Sequence, residues 1–378
     1  MNQAGEDKEL QVTPRQALGS LKPYTAGKPI WEVQQEYRLD RVIKLASNEN
    51  SLGPSPKALQ AIQEQLSDLH RYPDERSSGL AQALGEHLGL AANQFIVTNG
   101  GDELIMLISR AYLEPGDEIV VPDPTFSEYE FGAFLMSATV IKVPLRDQYA
   151  FSAEDILSVM TERTKIVYLC TPNNPTGTYI PELEMKKLLD RLPTRVLVVI
   201  DTAYRHYATA LDYSDGINFI KMGYPVITLN TFSKIYGLAG IRVGYGAASE
   251  GIIRTLLQVK EPFNVNALAQ AAASAALGDA EHVQASCRMN EQGRQQIYEG
   301  LSRLSIPYYE SMSNFILAEL GEHAEILYHK LLERGIIVRY AKGWGLPGHI
   351  RISVGTAEEN QELLDALGEV LVHTSKPW

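Results

Sequence analysis

Short apolar runs rich in β-branched residues alternate with amphipathic segments from about residue 79 to about residue 250. The helical pattern is clearest in GLAQALGEHLGL and DELIMLISRAYL, and the strand pattern in DEIVVPD, KIVYLC, RVLVVID and PVITLNTFS. Continuous apolar strands separated by amphipathic helices are typical of a mostly parallel sheet that is covered on both faces. The pattern therefore predicts an α/β domain.

The alternation gives way after about residue 260 to one long helical stretch, which runs from VNALAQ to IYEGL. Short strands follow in NFILAEL, GIIVRYA and HIRISVG, with one helix among them. This order predicts a second, smaller α+β domain. The first 45 residues show little periodicity, and they could cross over to the small domain or to another subunit. We predict an N-terminal arm with part of the small domain at 1–45, a large domain at 46–260 and a small domain at 261–378.

The turns between the predicted strands are rich in Pro, Asn and Gly, as in PDPT, TPNNPTGT and GLAG. They fall repeatedly just after a strand. Because open α/β sheets bind ligands outside the carboxyl ends of their strands, this placement predicts a binding site there.

The composition of the chain argues against several classes of function. The 378 residues carry a formal net charge of -12 with no basic run, which argues against a nucleic-acid partner. Cys170 and Cys287 are far apart, so we expect no disulfide framework and a reducing, cytoplasmic location. Apolar runs are too short to span a bilayer, and no metal-ligand, P-loop or GxSxG spacing occurs. We expect neither a membrane partner nor a metal site.

The segment NTFSKIYGLAGIRVGYG carries the candidate chemistry. Lys234 stands beside Ser233 and near Thr231 and Arg242, a set of hydroxyls and a guanidinium that suits a phosphate group. A desolvated lysine amine can attack a carbonyl, so a phosphorylated aldehyde such as pyridoxal phosphate would satisfy both features. The alternative is that the lysine side chain merely extends its ammonium to water.

Asp201 ends the aliphatic run RVLVVID, where an unpaired carboxylate is costly to bury. It could pair with the ring nitrogen of such a cofactor, or it could simply cap a helix or end a strand. Tyr204 and Asn174, in the loops that follow two of the strands, could donate hydrogen bonds to a ring oxygen.

Two further segments could contact the cofactor. Gly100 and Gly101 precede a helix that starts near Asp102, and backbone amides at a helix N-terminus bind phosphate. A glycine pair alone is weak support, since many strand-to-helix turns contain glycine. Phe126 in PDPTFSEY could stack on a flat ring or could serve only in packing.

Four segments in this order and spacing, CTPNNPTGTYI, VIDTAYRHY, NTFSKIYGLAGIRVGYG and IRISVGT, resemble the fold type I pyridoxal-phosphate aminotransferases, specifically the histidinol-phosphate aminotransferase subfamily. The resemblance runs from about residue 20 to the C-terminus. It implies a large domain with a mostly parallel seven-stranded sheet between helices, and a smaller α+β domain.

The resemblance also implies roles for individual residues. Lys234 would hold the cofactor covalently and then carry a proton between the substrate α-carbon and the cofactor. Asp201 would pair with the ring nitrogen, Asn174 and Tyr204 would hold the ring oxygen, and Phe126 would stack on the ring. The family often has tyrosine at the position of Phe126.

The same resemblance implies that the cofactor phosphate lies between the helix start near Asp102 and the segment NTFSKIYGLAGIRVGYG. The residues around it would be Gly101, Asp102, Thr231, Ser233 and Arg242. Tyr72 matches the tyrosine that reaches the phosphate of the neighbouring subunit's cofactor, which implies a homodimer. The sequence alone favours a surface turn at Tyr72.

Substrate contacts are implied for four residues: Arg351, Arg339, Asn174 and, from the arm, Tyr24. Arg351 could instead be an ordinary surface residue of a short strand. Thr202 departs from the family, which usually has glutamate after the aspartate, and this puts the surroundings of Asp201 and the substrate preference in doubt.

The expected activity is a ping-pong transamination between histidinol phosphate, or a related amino donor, and 2-oxoglutarate. An aromatic amino acid aminotransferase and a decarboxylase or lyase of the same fold stay open as alternatives, because they would use the same lysine. A transcription regulator with an aminotransferase-like domain would need an attached DNA-binding module, for which we expect no room before residue 20.

Overall fold

A computed structural model describes residues 12–21 and 27–374 of the chain. The α-helices within these ranges are α1 (Ile30–Tyr37), α2 (Pro56–Gln65), α3 (Ser78–Leu88), α4 (Gly101–Tyr112), α5 (Glu128–Leu135), α6 (Ala153–Ser158), α7 (Glu182–Leu189), α8 (Ile217–Lys221), α9 (Glu250–Leu257), α10 (Ala267–Leu277), α11 (Ala280–Arg303), α12 (Ala324–Glu333) and α13 (Ala357–Thr374). The strands are β1 (Ile43–Lys44), β2 (Phe95–Thr98), β3 (Glu118–Asp123), β4 (Thr139–Pro144), β5 (Thr164–Cys170), β6 (Leu197–Asp201), β7 (Val226–Thr231), β8 (Gly244–Ala248), β9 (Phe315–Glu319), β10 (Ile336–Ile337), β11 (Arg339–Tyr340) and β12 (His349–Ser353).

Seven strands form the large sheet, in the order β2-β8-β7-β6-β5-β3-β4. Only β8 runs antiparallel to its neighbours, β2 and β7, and the other pairs are parallel. Successive side chains of a strand point to opposite faces, so Val198 and Val199 of β6 belong to separate apolar cores on the two sides of the sheet. The prediction of an α/β fold with a mostly parallel seven-stranded sheet is confirmed.

A smaller antiparallel sheet has the order β11-β12-β9 and shares a core with α11, α12 and α13. The N-terminal segment reaches this part of the molecule, because β1 pairs in parallel with β10. Helix α1 lies in the same segment, where the weak periodicity predicted no helix, and it packs against α12. The division at residues 45 and 260 stays a proposal.

The long stretch after residue 260 is helical, as predicted, and it consists of two helices. Helix α10 ends before Gly278, and α11 begins after Asp279, whose carboxylate accepts a hydrogen bond from the backbone N–H of His282 at 3.4 Å. A glycine followed by an aspartate that caps the next helix marks this break. Helix α10 packs against α2 and α3, beside the large sheet. None of the described helices combines the length and apolar character needed to cross a membrane.

Candidate active site

One cavity of about 280 Å³ opens at the carboxyl ends of β5, β6 and β7. These strands end at Cys170, Asp201 and Thr231, and all three residues line it. The small sheet closes the cavity from the other side with Arg339 of β11 and Arg351 of β12. The cavity therefore lies where the turn chemistry predicted a binding site.

Lys234 projects into this cavity from the turn that follows β7. Its Nζ donates a hydrogen bond to the carbonyl oxygen of Ser47 at 3.1 Å and lies 5.7 Å from the centroid of the Tyr204 ring. Burial, with a smaller contribution from the cation of Arg351, lowers the pKa of the amine to about 8. About a tenth of the amine is therefore neutral, and nucleophilic, at pH 7.

Asp201 is 5% exposed and accepts two hydrogen bonds. Its Oδ2 accepts from the hydroxyl of Tyr129 at 2.6 Å, and its Oδ1 accepts from the backbone N–H of Ala203 at 3.0 Å. Burial raises the pKa of the carboxyl to about 6 despite both hydrogen bonds. A cationic group placed beside Asp201 would reverse this effect and favour the carboxylate.

Tyr129 is a residue that the sequence analysis missed. It lies in the first turn of α5, its ring stacks on Tyr168 with 4.5 Å between centroids, and it is fully buried. The only signal in the sequence was a second aromatic residue three positions after Phe126. Phe126 itself lines the cavity and meets the edge of Tyr129, with 5.6 Å between the ring centroids.

Asn174 and Tyr204 also line the cavity, and each has a partner in the protein. The Tyr204 hydroxyl accepts a hydrogen bond from Nδ2 of Asn48 at 3.0 Å, and Oδ1 of Asn174 accepts one from Nη1 of Arg351. Asn48 was missed, because nothing in its surroundings, LASNENS, distinguishes it from a loop residue. These bonds orient both side chains at the cavity wall.

The N-terminus of α4 forms another wall of the cavity. Gly100 precedes the helix with φ of 85°, and Gly101 and Asp102 begin it. A Cβ atom on Gly100 would lie 2.5 Å from Nη2 of Arg242, so only glycine allows this guanidinium to approach the helix end. Backbone amides and a cation therefore converge on one region, which suits an anion.

The hydroxyls predicted for the same region are present there. The hydroxyl of Thr231 donates to that of Ser233 at 2.9 Å, and Nη1 of Arg242 lies 3.4 Å from the Ser233 oxygen. Arg242 also contacts Oδ2 of Asp102 through Nη2 at 3.3 Å. The cluster brings together residues that are far apart in the sequence. A phosphate would bind the guanidinium of Arg242 more strongly than the exposed carboxylate of Asp102 does.

Arg351 is buried rather than a surface residue, with 5% of its area exposed. Its Nη2 donates to the carbonyl oxygen of Ala46 at 2.7 Å, and its guanidinium lies 5.1 Å from the ring centroid of Phe315. Arg339 lies directly opposite Arg351 in the β11–β12 pair. Trp344, a residue that the sequence analysis missed, lines the cavity beside both.

Two of the residues that the sequence singled out, Tyr72 and Thr202, do not line the cavity. Tyr72 is 82% exposed and stacks on Phe263, with 4.7 Å between ring centroids, so it points away from the cavity of its own chain. Tyr24 lies outside the described residues. Thr202 is buried against β7, where its hydroxyl donates to the carbonyl oxygen of Leu229 at 3.0 Å. Thr202 therefore supports the strand that carries Asp201 and does not line the cavity.

The residues around the cavity fit pyridoxal phosphate. The amine of Lys234, with its lowered pKa, can react with the aldehyde, and the buried carboxyl of Asp201 can pair with the ring nitrogen. The N-terminus of α4 and Arg242 can bind the phosphate. The fit depends on groups at the ends of β6 and β7 and on the N-terminus of α4 with Arg242, all of which line one cavity. No other cofactor is needed to explain this set.

Comparison with known proteins supports the same conclusion. The family described as aminotransferase class I and II matches residues 40–367. The histidinol-phosphate aminotransferase of Moorella thermoacetica is 44% identical over 370 residues, which cover 97% of this chain and 96% of that protein. The Bacillus subtilis enzyme of the same name is 42% identical over 94% of this chain and 99% of its own length.

A solved structure extends the similarity to three dimensions. The histidinol-phosphate aminotransferase of Sinorhizobium meliloti, solved in complex with pyridoxal-5'-phosphate, superposes with a TM-score of 0.89 and 26% identity, covering 98% of this chain and all of that one. The sequence match, the fold and the site agree with the resemblance found in the sequence. The chain belongs to the class I and II aminotransferase family.

Proposed function

We propose that this chain is a pyridoxal-phosphate-dependent aminotransferase that moves the amino group of histidinol phosphate to 2-oxoglutarate in two half-reactions. One observation carries the proposal: a single cavity holds the amine of Lys234, the carboxyl of Asp201 and the guanidinium of Arg351. The names of the relatives that match nearly the whole chain support histidinol phosphate as the amino donor.

Each end of the cofactor has its own set of residues in this proposal. Lys234 binds the cofactor covalently, and Asp201 keeps the ring nitrogen protonated. Bound pyridoxal phosphate supplies an electron sink for the charge left when the α-carbon loses its proton. The remaining contacts are to the ring face, the ring oxygen and the phosphate: Phe126, Asn174, Tyr204, Gly101, Asp102, Thr231, Ser233 and Arg242.

Lys234 would also carry the proton that leaves the α-carbon of the amino donor. The lowered pKa of its amine suits this role, because a base that is partly neutral near pH 7 can both accept and return a proton. Its hydrogen bond to Ser47 holds the amine at the cavity wall. Tyr204, whose ring lies 5.7 Å from the amine, limits the directions that the free side chain can take.

Arg351 binds the anionic groups of the substrates in this proposal. Arg339, opposite it, and Tyr24 of the N-terminal arm make further contacts. Arg351 is already oriented by Asn174 and by the carbonyl oxygen of Ala46. A guanidinium held in this way presents its remaining N–H groups to a carboxylate or phosphate with little loss of side-chain entropy.

The active unit in this proposal is a homodimer in the cytoplasm. The exposed Tyr72, stacked on Phe263, supports it, since an aromatic pair of this kind on the surface is suited to a second subunit. Tyr72 would then reach the cofactor phosphate of the partner. Cys170 and Cys287 are unpaired thiols, which agrees with a reducing compartment.

A panel of amino donors tests the substrate. Purified protein with pyridoxal phosphate and 2-oxoglutarate is assayed for glutamate with histidinol phosphate, phenylalanine and tyrosine, and Lys234→Ala serves as the inactive control. We expect histidinol phosphate to give the highest kcat/KM. Faster turnover of phenylalanine would assign an aromatic aminotransferase instead, and carbon dioxide release without glutamate would assign a decarboxylase.

A further inference from the structure

Trp344 lies against both arginines of the substrate side. It ends the short 3-10 turn Ala341–Trp344 that follows β11, and its indole faces the cavity. The ring centroid is 4.9 Å from Cζ of Arg351 and 5.6 Å from Cζ of Arg339. Both distances are within the range in which an aromatic face attracts a cation.

The strand register places the two arginines that Trp344 contacts directly beside each other. Arg339 and Arg351 are direct partners across the antiparallel β11–β12 pair, and like charges in that position repel each other. The guanidinium of Arg351 is fixed by Asn174, Ala46 and the ring of Phe315. Arg339 is more exposed than Arg351, and the indole lies 5.6 Å from its Cζ.

A pair of neighbouring cations at one cavity wall is best compensated by a dianion. A phosphate monoester carries about two negative charges near neutral pH, whereas a carboxylate carries one. Holding Arg339 in place before the substrate arrives removes part of the entropy cost of binding, because a long side chain is already ordered. The indole thus favours phosphorylated amino donors over unphosphorylated ones.

We propose that Trp344 is a positioning residue that holds Arg339 beside Arg351 and thereby gives the enzyme its preference for a phosphorylated amino donor. This inference rests on the proposed function, because it takes histidinol phosphate as the donor. Trp344 acts through the arginines and takes no part in proton transfer at Lys234.

The test compares histidinol phosphate with histidinol, which lacks the phosphate, in the wild-type enzyme and in Trp344→Ala and Trp344→Phe. Loss of one cation–π contact corresponds to about a tenfold change in affinity. We expect Trp344→Ala to raise KM for histidinol phosphate about tenfold, with kcat little changed and KM for histidinol unaffected. Trp344→Phe keeps an aromatic face and should restore most of the wild-type KM.

Two controls separate positioning from folding. Tyr308→Ala removes an aromatic ring that stacks on Tyr298, with 4.7 Å between centroids, beside the small sheet and outside the cavity lining, and it should leave both KM values unchanged. In an Arg339→Ala background, Trp344→Ala should add little to KM, because the residue through which it acts is gone. Cofactor absorbance and the melting temperature of each variant establish that it is folded and loaded.

The outcomes distinguish the two proposals. If the wild-type enzyme does not use histidinol phosphate, the proposed function fails and the inference falls with it. If the wild-type enzyme uses it but Trp344→Ala leaves KM unchanged, raises KM for both donors equally, or is additive with Arg339→Ala, the proposed function stands and the role of Trp344 is overturned.

Discussion

The hydroxyl of Tyr129 donates a hydrogen bond of 2.6 Å to Oδ2 of Asp201, and both side chains are buried. Tyr129 sits on α5 and Asp201 at the end of β6, so the contact joins a helix on one face of the sheet to the carboxyl that we propose pairs with the cofactor ring. The bond favours the ionised form of Asp201, while burial favours the neutral form. The balance leaves the pKa of Asp201 raised in the protein without cofactor.

This raised pKa predicts how the stability of the apoprotein depends on pH. The folded protein binds the Asp201 proton up to about pH 6, and the unfolded chain only up to about 3.8. The stabilisation is thus complete below pH 3.8 and is lost as pH rises through 6, by about 3 kcal/mol. Urea unfolding of the apoprotein across this range should show the loss, and Asp201→Asn should remove that component.

Tyr129→Phe tests the contribution of the hydrogen bond. Without the donor, the pKa of Asp201 should rise further, so the pH at which the apoprotein stops losing stability should move upward. A variant that merely packed less well would lower the free energy of unfolding equally at every pH. An unshifted pH profile in Tyr129→Phe would mean that the hydroxyl does not influence the carboxyl.

Cofactor capture by the apoprotein should become faster as pH rises through about 8. Only the neutral amine of Lys234 attacks the aldehyde, and its pKa is lowered to about 8 by burial and by the cation of Arg351. Stopped-flow absorbance after mixing apoprotein with pyridoxal phosphate gives the rate. Arg351→Gln removes the nearby charge and should move the midpoint to higher pH, whereas Arg351→Lys should leave it near 8. Equal midpoints in the two variants would contradict this.

Gly100→Ala should weaken pyridoxal phosphate binding roughly ten- to a hundredfold, since losing one charge-assisted hydrogen bond costs about 1.5–3 kcal/mol. The new Cβ would lie 2.5 Å from Nη2 of Arg242 and displace the guanidinium. Gly223→Ala is the matched control: Gly223 has φ of 84°, nearly that of Gly100, but its Cβ would meet no atom within 4 Å. Both variants carry backbone strain, so only Gly100→Ala should change the dissociation constant measured by equilibrium dialysis.

Tyr72→Phe should weaken cofactor binding about fivefold, the effect of losing one hydrogen bond of about 1 kcal/mol, without changing the dimer. The substitution keeps the ring that stacks on Phe263 and removes only the hydroxyl. Tyr179→Phe removes another exposed hydroxyl, one that donates to Asp212, and serves as the control. Sedimentation and cofactor titration check both quantities. Unchanged cofactor affinity in a dimeric Tyr72→Phe would exclude a contact across the interface.

Local patterns along the chain determined the α/β alternation, the apolar strands and the polar residues that follow them. Asp201 and Lys234 stood out because a charged group after a buried strand is costly unless it has a partner. Strand length and periodicity depend on neighbours in the sequence, so they are visible without a structure. The break at Gly278 and Asp279 depends on local capping rather than on periodicity, because a glycine ends one helix and an aspartate begins the next.

Only the tertiary structure decided which side chains meet across the cavity. The sheet places β3 beside β5, and α5 then brings Tyr129 to Asp201 over a separation of 72 residues. Antiparallel pairing of β11 and β12 sets Arg339 opposite Arg351, and the turn between them adds Trp344. The order of strands and their register come from burial summed over the whole fold, which no local pattern contains.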